Sequence, residues 1–175
     1  LVPYGEVWRA GANMNTTFTS SSAFTVGGKT LPAGTYGLHM IPTEKDWTVI
    51  FTNMSTAWGS FSYDQKEDAV RFTVTPKSAD FEERLEYRFE DPTDDSVTVV
   101  LQWDKLAVSF PVTVDSKAVV FASIEGQMRG LPRFGWQGWN QAANWCLRND
   151  YKLEQGLAWA DRSIGLNSNF QNLRT

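Results

Sequence analysis

The spacing of apolar residues changes once along the chain, near Asp115, and this change constrains the fold more than any other feature. Before it, apolar and polar residues alternate, as Leu85, Tyr87 and Phe89 show, which is typical of half-buried strands. After it, apolar residues recur at helical spacing. We therefore expect a mainly β domain over residues 1–115 and an α-helical tail over residues 116–175.

Turn residues divide the first part into about eight short strands. Gly27-Gly28 predicts a two-residue hairpin, and Pro42 ends a strand over residues 35–41 because proline lacks a backbone donor. We expect two final strands, 96–103 and 106–114, to be joined by a tight connection at Asp104-Lys105. Short strands at this regular spacing predict an antiparallel β-sandwich or jelly-roll-like domain.

The tail is predicted to contain three helices, over residues 116–128, 136–149 and 152–166. The second and third resemble a tetratricopeptide helix pair at about 136–167, and the residues that carry the resemblance are Trp139, Ala143, Gly156, Ser163, Leu166 and Ser168. Gly156 and Ser163 are small enough for close helix packing, whereas Ser168 stands where the repeat usually has proline. One such pair buries too little surface alone, so it packs on the sandwich, pairs with another chain or continues into further helices.

Composition and charge exclude several classes of protein. The net charge of −4 makes nonspecific nucleic-acid binding a poor expectation, because that binding needs a basic face. The sequence has no run of 18 apolar residues, so no transmembrane segment is predicted. Cys146 is the single cysteine, which rules out an internal disulfide.

Motifs for catalysis or cofactor binding are absent. His39 is the one histidine, no G-x-S-x-G elbow precedes it, and one His with one Cys falls short of the usual zinc sets. The acidic stretch 90–96 lacks the spacing of a calcium loop, and Gly27-Gly28 is too short for a phosphate cradle. We therefore expect no catalytic residue, no metal and no cofactor.

Two glycine-punctuated stretches, "VPYGEVWRAGANMNTTF" and "AWGSFSYD", combine polar and aromatic side chains that suit a flat polar ligand. Together with the strand histidine they give the candidate ligand-binding set, Arg9, Asn13, His39, Trp58 and Tyr63. If Arg9 is buried, it needs a carboxylate partner, for which Glu6 or Asp64 is available.

Several stretches resemble a bacterial family known as domain of unknown function twenty-nine eleven, over about residues 1–115. The stretches that carry the resemblance are "VPYGEVWRAGAN", "LPAGTYGLHMIP", "WTVIF", "WGSFSYD" and "VSFPVTVD". The residues that match the family pattern are Trp8, Arg9, Gly11, Asn13, Gly34, Tyr36, Trp58, Gly59 and Tyr63. The resemblance implies an exported protein of the periplasm or cell surface, and we read the start at Leu1 as a processed or trimmed terminus. It implies no particular activity.

Three functional hypotheses follow. The first is a noncatalytic module that binds a small polar ligand such as a saccharide. The second is an interaction or assembly module, in which an exposed apolar stripe with Trp145 and Trp159 docks a protein partner or forms a homodimer. The third is an enzyme that uses His39 as acid or base beside Asp64 or Glu6, and it requires His39 to open onto a pocket. The sequence favours a binding function over an enzyme.

Overall fold

The computed structural model describes residues 2–175 of the chain. Backbone contacts divide it into a β unit that ends at Asp115 and a helical unit that spans Ser116–Thr175. The strands are β1 (Thr17–Ser20), β2 (Phe24–Val26), β3 (Lys29–Leu31), β4 (Gly34–Pro42), β5 (Trp47–Thr52), β6 (Asp68–Val74), β7 (Lys77–Glu90) and β8 (Ser96–Thr113). The helices are α1 (Ser116–Gln127), α2 (Trp136–Asn149) and α3 (Leu153–Leu166).

The β unit is a sandwich of two four-stranded antiparallel sheets. One sheet has the strand order β1-β4-β5-β6 and the other has the order β3-β2-β8-β7. Phe51 on β5 meets Phe110 on β8 with ring centroids 6.0 Å apart, so the inner faces of the two sheets share one aromatic core. The predicted fold class, a β-sandwich followed by a helical segment, is confirmed.

Local sequence explains the turns that hold this sandwich together. Gly27 and Gly28 both have positive φ, 57° and 78°, and they connect β2 to β3 as the predicted two-residue hairpin. Such a hairpin needs left-handed backbone at both central positions, which glycine adopts without strain. β4 ends at Pro42, also as predicted.

The expected connection at Asp104-Lys105 is wrong. β8 runs without interruption from Ser96 to Thr113, and Asp104 lies inside it with a positive φ of 54°. The register with β7 shifts twice here, between Ser78 and Glu82 and again between Glu82 and Glu86. The polar Asp104-Lys105 pair therefore marks an irregularity in one long strand, where β7 carries extra residues opposite β8.

The helical unit has its own apolar core. Phe121 of α1 stacks on Trp159 of α3 at 5.4 Å, and Trp145 and Tyr151 contact the same ring. Trp159 is only 6% exposed and Trp145 is half-buried, so the exposed stripe that the interaction hypothesis requires does not include Trp159. No helix in the described part of the chain combines the length and the apolar character that crossing a membrane requires.

Candidate functional site

His39 lies on the outer face of the first sheet. Its neighbours on β4, Leu38 and Met40, point into the sandwich core, and a strand reverses side at every residue. The outer face is covered by the 53–64 loop. Ser60 Oγ of this loop shares a hydrogen bond of 2.9 Å with His39 Nδ1, and the Tyr63 ring lies 5.7 Å from the imidazole. As a result His39 is only 2% exposed.

A hydrogen-bonded network of Tyr63, Asp68 and Arg71 lies beside His39. The Tyr63 hydroxyl donates to Asp68 Oδ1 at 2.8 Å, and Arg71 donates from Nε to Asp68 Oδ2 at 2.8 Å and from Nη2 to the Tyr63 oxygen at 2.6 Å. Burial and the Asp68 carboxylate raise the pKa of Tyr63 to about 12. Asp68, rather than the expected Asp64 or Glu6, is thus the carboxylate whose charge affects the pKa of His39. Asp64 instead accepts a hydrogen bond from the Lys66 backbone N–H.

The space beside His39 is too small for a ligand. The cavity that it lines with Thr52, Gly59 and Tyr63 has a volume of about 10 Å³, room for one water molecule at most. The enzyme hypothesis requires a histidine that opens onto a concave pocket, and the 53–64 loop covers this one. His39 therefore serves as a buried anchor for the loop.

The stability of the protein should depend on pH through His39. Burial lowers the pKa of His39 below 6.5, and Asp68 opposes this shift with a smaller effect. The unfolded chain therefore binds a proton at a higher pH than the folded protein does. The contribution of uncharged His39 to the free energy of unfolding is complete above pH 6.5. It is lost as the pH falls from 6.5 through the folded-state pKa of His39. Urea midpoints measured on both sides of pH 6.5 should show this decrease.

His39→Asn is the matched variant for this measurement, because asparagine keeps a group that can bond to Ser60 and does not titrate. Carboxylates elsewhere titrate equally in both proteins, so the difference between the two pH profiles isolates His39. Parallel profiles across pH 6.5 would show that the imidazole charges as freely in the folded protein as in the unfolded chain.

Three of the predicted residues meet at the surface. The Arg9 guanidinium lies over the Trp58 ring at 5.7 Å, and Trp58 Nε1 donates to Asn13 Oδ1 at 3.4 Å. Arg9 is held in place because the preceding Trp8 pairs with Met40 of β4 through two backbone hydrogen bonds of 2.8 Å. Phe61 stacks on the Trp58 ring, with the two ring centroids 5.6 Å apart. We call Arg9, Asn13, Trp58 and Phe61 the Arg9 patch.

The five predicted residues thus form two neighbouring groups, one exposed and one buried. Gly59, which has a positive φ of 68°, lies between them: it lines the small cavity at His39, and a Cβ built on it would be 2.6 Å from Arg9 Nη1. Arg9 forms no ion pair with Glu6 or Asp64 in the described part of the chain. The carboxylate partner was expected only for a buried Arg9, and the residue is half-buried.

A separate groove of about 490 Å³ lies in the β unit, and the sequence analysis missed it. Its floor is apolar, with Leu101 and Val108 both nearly inaccessible. Four aromatic and three acidic residues also line it: Tyr4, Trp47, Phe81, Trp103, Glu82, Glu83 and Asp104. We call this site the aromatic groove.

The irregular pairing of β7 and β8 shapes the aromatic groove. The two register shifts flank Glu82, so Phe81, Glu82 and Glu83 lie in the part of β7 that departs from regular pairing. Trp103 Nε1 donates to the Glu83 carbonyl at 3.1 Å, which fixes the indole, and Trp103 stacks on Trp8 at 6.4 Å. A tryptophan followed by a polar pair inside a strand, as at 103–105, is the one sequence signal that could have indicated the groove.

A family model described as a protein of unknown function (DUF2911) matches residues 1–112. No curated protein and no solved structure matches the chain. The match covers all eight strands and stops just before the end of β8, so the Arg9 patch and the aromatic groove both lie within the matched part.

Proposed function

Because the chain belongs to the DUF2911 family, whose function is unknown, we propose a function from its own geometry: a noncatalytic module that binds a saccharide or a similar small polar ligand in the aromatic groove. The observation that carries the proposal is a groove lined by four aromatic residues together with three acidic residues, Glu82, Glu83 and Asp104. None of the three takes part in an ion pair in the part of the chain that the structure describes.

The size and lining of the groove suit a sugar. Its volume of about 490 Å³ falls in the range of roughly 300–1,000 Å³ that small-molecule sites occupy. Sugar rings have an apolar C–H face that packs on aromatic rings, and their hydroxyls donate to carboxylates in charge-assisted hydrogen bonds. The indole of Trp103, fixed by its hydrogen bond to Glu83, offers such a surface without losing side-chain freedom on binding.

We further propose that the protein acts in the periplasm or at the cell surface. The resemblance of its β unit to a family with exported members supports this location, and polysaccharides and their fragments are abundant there. A signal-peptide assay on the complete gene product, with a reporter fused to the β unit, would test the location independently of any ligand.

Saccharide binding should depend on Trp103. We expect a panel of neutral saccharides, titrated into the 175-residue chain and followed by calorimetry, to include at least one ligand whose affinity falls about tenfold or more in Trp103→Ala, since one lost stacking contact is worth about 1.4 kcal/mol. Asp104→Asn is a milder second variant, because asparagine tolerates the left-handed backbone at that position.

Trp58→Ala is the matched control, since it also removes an indole of the β unit, and Trp58, which is 60% exposed, lies outside the groove. Loss of binding in Trp58→Ala with full binding in Trp103→Ala would move the site to the Arg9 patch and overturn the assignment to the groove. Absence of binding by every saccharide in the panel would overturn the ligand class.

A further inference from the structure

The Arg9 guanidinium has an unusual environment for a partly buried cation. Its Nε is buried and has no hydrogen-bond acceptor. The guanidinium takes part in no ion pair or hydrogen bond in the described residues, and the stacking on Trp58 is its one polar or aromatic interaction. Buried polar groups in folded proteins almost always have a hydrogen-bond partner, so a half-buried guanidinium with no acceptor within the chain is a candidate to bind one from outside it.

We propose that the Arg9 patch binds a carboxylate carried on a flat apolar group, such as an aromatic carboxylate. The terminal nitrogens of Arg9 form a planar donor pair, and this geometry matches the two oxygens of a carboxylate. An anion at the terminal nitrogens neutralises the guanidinium charge, which no carboxylate among the described residues does.

The other members of the patch supply the rest of the site. Asn13 uses its carbonyl oxygen to accept from Trp58, which leaves its amide N–H groups free to donate. Trp58 and Phe61 are 60% and 83% exposed, and their rings stack at an interplanar angle of 20°. Two parallel rings at the surface offer a flat apolar face beside the donors, and this face is what selects a flat ligand over a small inorganic anion.

The loop that carries Arg9 and Asn13 is fixed before any ligand arrives. Ala10 and Asn13 both have left-handed backbone, with φ of 49° and 66°, and for alanine this conformation is strained. A long-range hydrogen bond holds this strained conformation, because the half-buried Tyr87 hydroxyl donates to the Ala10 carbonyl at 2.7 Å. Trp8 Nε1 also donates to the Gly11 carbonyl at 3.1 Å. Such preorganisation lowers the entropy lost on binding.

Two of the carboxylates that could otherwise occupy this position are held elsewhere, and Glu6, the third candidate, forms no ion pair with Arg9 in the described residues. Asp68 is bound to Tyr63 and Arg71, and Asp64 accepts from the Lys66 backbone. The positive charge of Arg9 therefore remains uncompensated within the described part of the molecule. This site is separate from the aromatic groove, whose lining residues include three acidic ones and no basic one.

The test uses benzoate as the probe, with acetate, inorganic phosphate and benzamide as comparison ligands. Each is titrated into the 175-residue chain while the indole N–H resonance of Trp58 is followed by NMR, with the resonance assigned from Trp58→Phe. We expect benzoate to shift this resonance saturably and to bind at least about tenfold more tightly than the other three, because it alone combines the carboxylate and the ring.

Arg9→Gln should abolish the benzoate-dependent shift, and Arg9→Lys should weaken it because the planar donor pair is lost. Arg84→Gln is the matched control, since it removes the same charge from an exposed position on β7. Where Arg9→Gln fails to fold, Phe61→Ala replaces it: this exposed ring can be removed safely, and its loss should weaken benzoate binding while acetate binding is unchanged.

Several results would overturn the proposal. If benzamide binds as tightly as benzoate, the patch binds its ligand through apolar contacts alone. If phosphate or acetate binds as tightly as benzoate, the patch is a nonspecific anion site. A benzoate shift that survives in Arg9→Gln, or that is lost equally in Arg84→Gln, would remove Arg9 from the site. None of these outcomes bears on saccharide binding in the aromatic groove.

Discussion

Phe51→Ala is expected to lower the free energy of unfolding of the β unit by about 3–5 kcal/mol, the largest effect of any single substitution considered for this chain. Phe51 is fully buried on the inner face of β5. Its ring lies within 6.5 Å of five other aromatic rings, which come from both sheets: Phe18, Phe24, Tyr36, Phe72 and Phe110. Removal of this ring leaves a cavity that close-packed neighbours fill only in part.

Urea denaturation, followed by the tryptophan fluorescence of the β unit, measures this loss. Phe89→Ala is the matched control, because Phe89 is 67% exposed and its replacement should change the unfolding free energy by less than about 1 kcal/mol. A domain of this size has roughly 5–15 kcal/mol of stability in total, so Phe51→Ala should remain folded only under favourable conditions. Equal effects of the two substitutions would contradict the assignment of Phe51 to the core.

The fold was largely predictable because its signals are local. The period change at Asp115, the Gly27-Gly28 hairpin and the strand end at Pro42 each follow from the backbone preferences of a few neighbouring residues. The continuity of β8 through Asp104 was not predictable in the same way. A polar pair such as Asp104-Lys105 is compatible with either a turn or a bulge, and the partner strand β7, which is distant in sequence, decides between them.

For the candidate site, the sequence predicted which residues take part but not how they are arranged. Aromatic and polar residues in glycine-rich loops indicated Arg9, Asn13 and Trp58, and the structure does bring these three together. The identity of the carboxylate near His39 depended on the register of β6 with β5, which places Asp68 opposite Thr52 and which no short sequence pattern encodes. The aromatic groove joins residues from the N-terminal segment, β5, β7 and β8, so the short signal at 103–105 could point to only one part of it.

Gly156→Ala should destabilise the helical unit by about 1–3 kcal/mol, although alanine is the better helix former. Gly156 lies in α3 where this helix crosses α2, and a Cβ built on it would be 2.7 Å from the Cβ of Cys146. Cys146 is fully buried in the helical core, and its Cβ is fixed to the backbone of α2, so the contact can be relieved only if the two helices move apart. The small size of Gly156 predicted from the sequence that it allows close helix packing, and the close approach of α2 and α3 at this residue is the reason that glycine is needed there.

Gly165→Ala is the matched control in the same helix, since a Cβ at Gly165 meets no atom within 4 Å. There the substitution should stabilise the unit by about 0.5–1 kcal/mol, because alanine loses less backbone entropy than glycine when the helix forms. Thermal unfolding followed by helical circular dichroism should therefore give shifts of opposite sign for the two variants. A stabilising effect at both positions would mean that α2 and α3 separate easily enough to admit a methyl group, and the helix pair would then lack the tight packing that its resemblance to a tetratricopeptide unit requires.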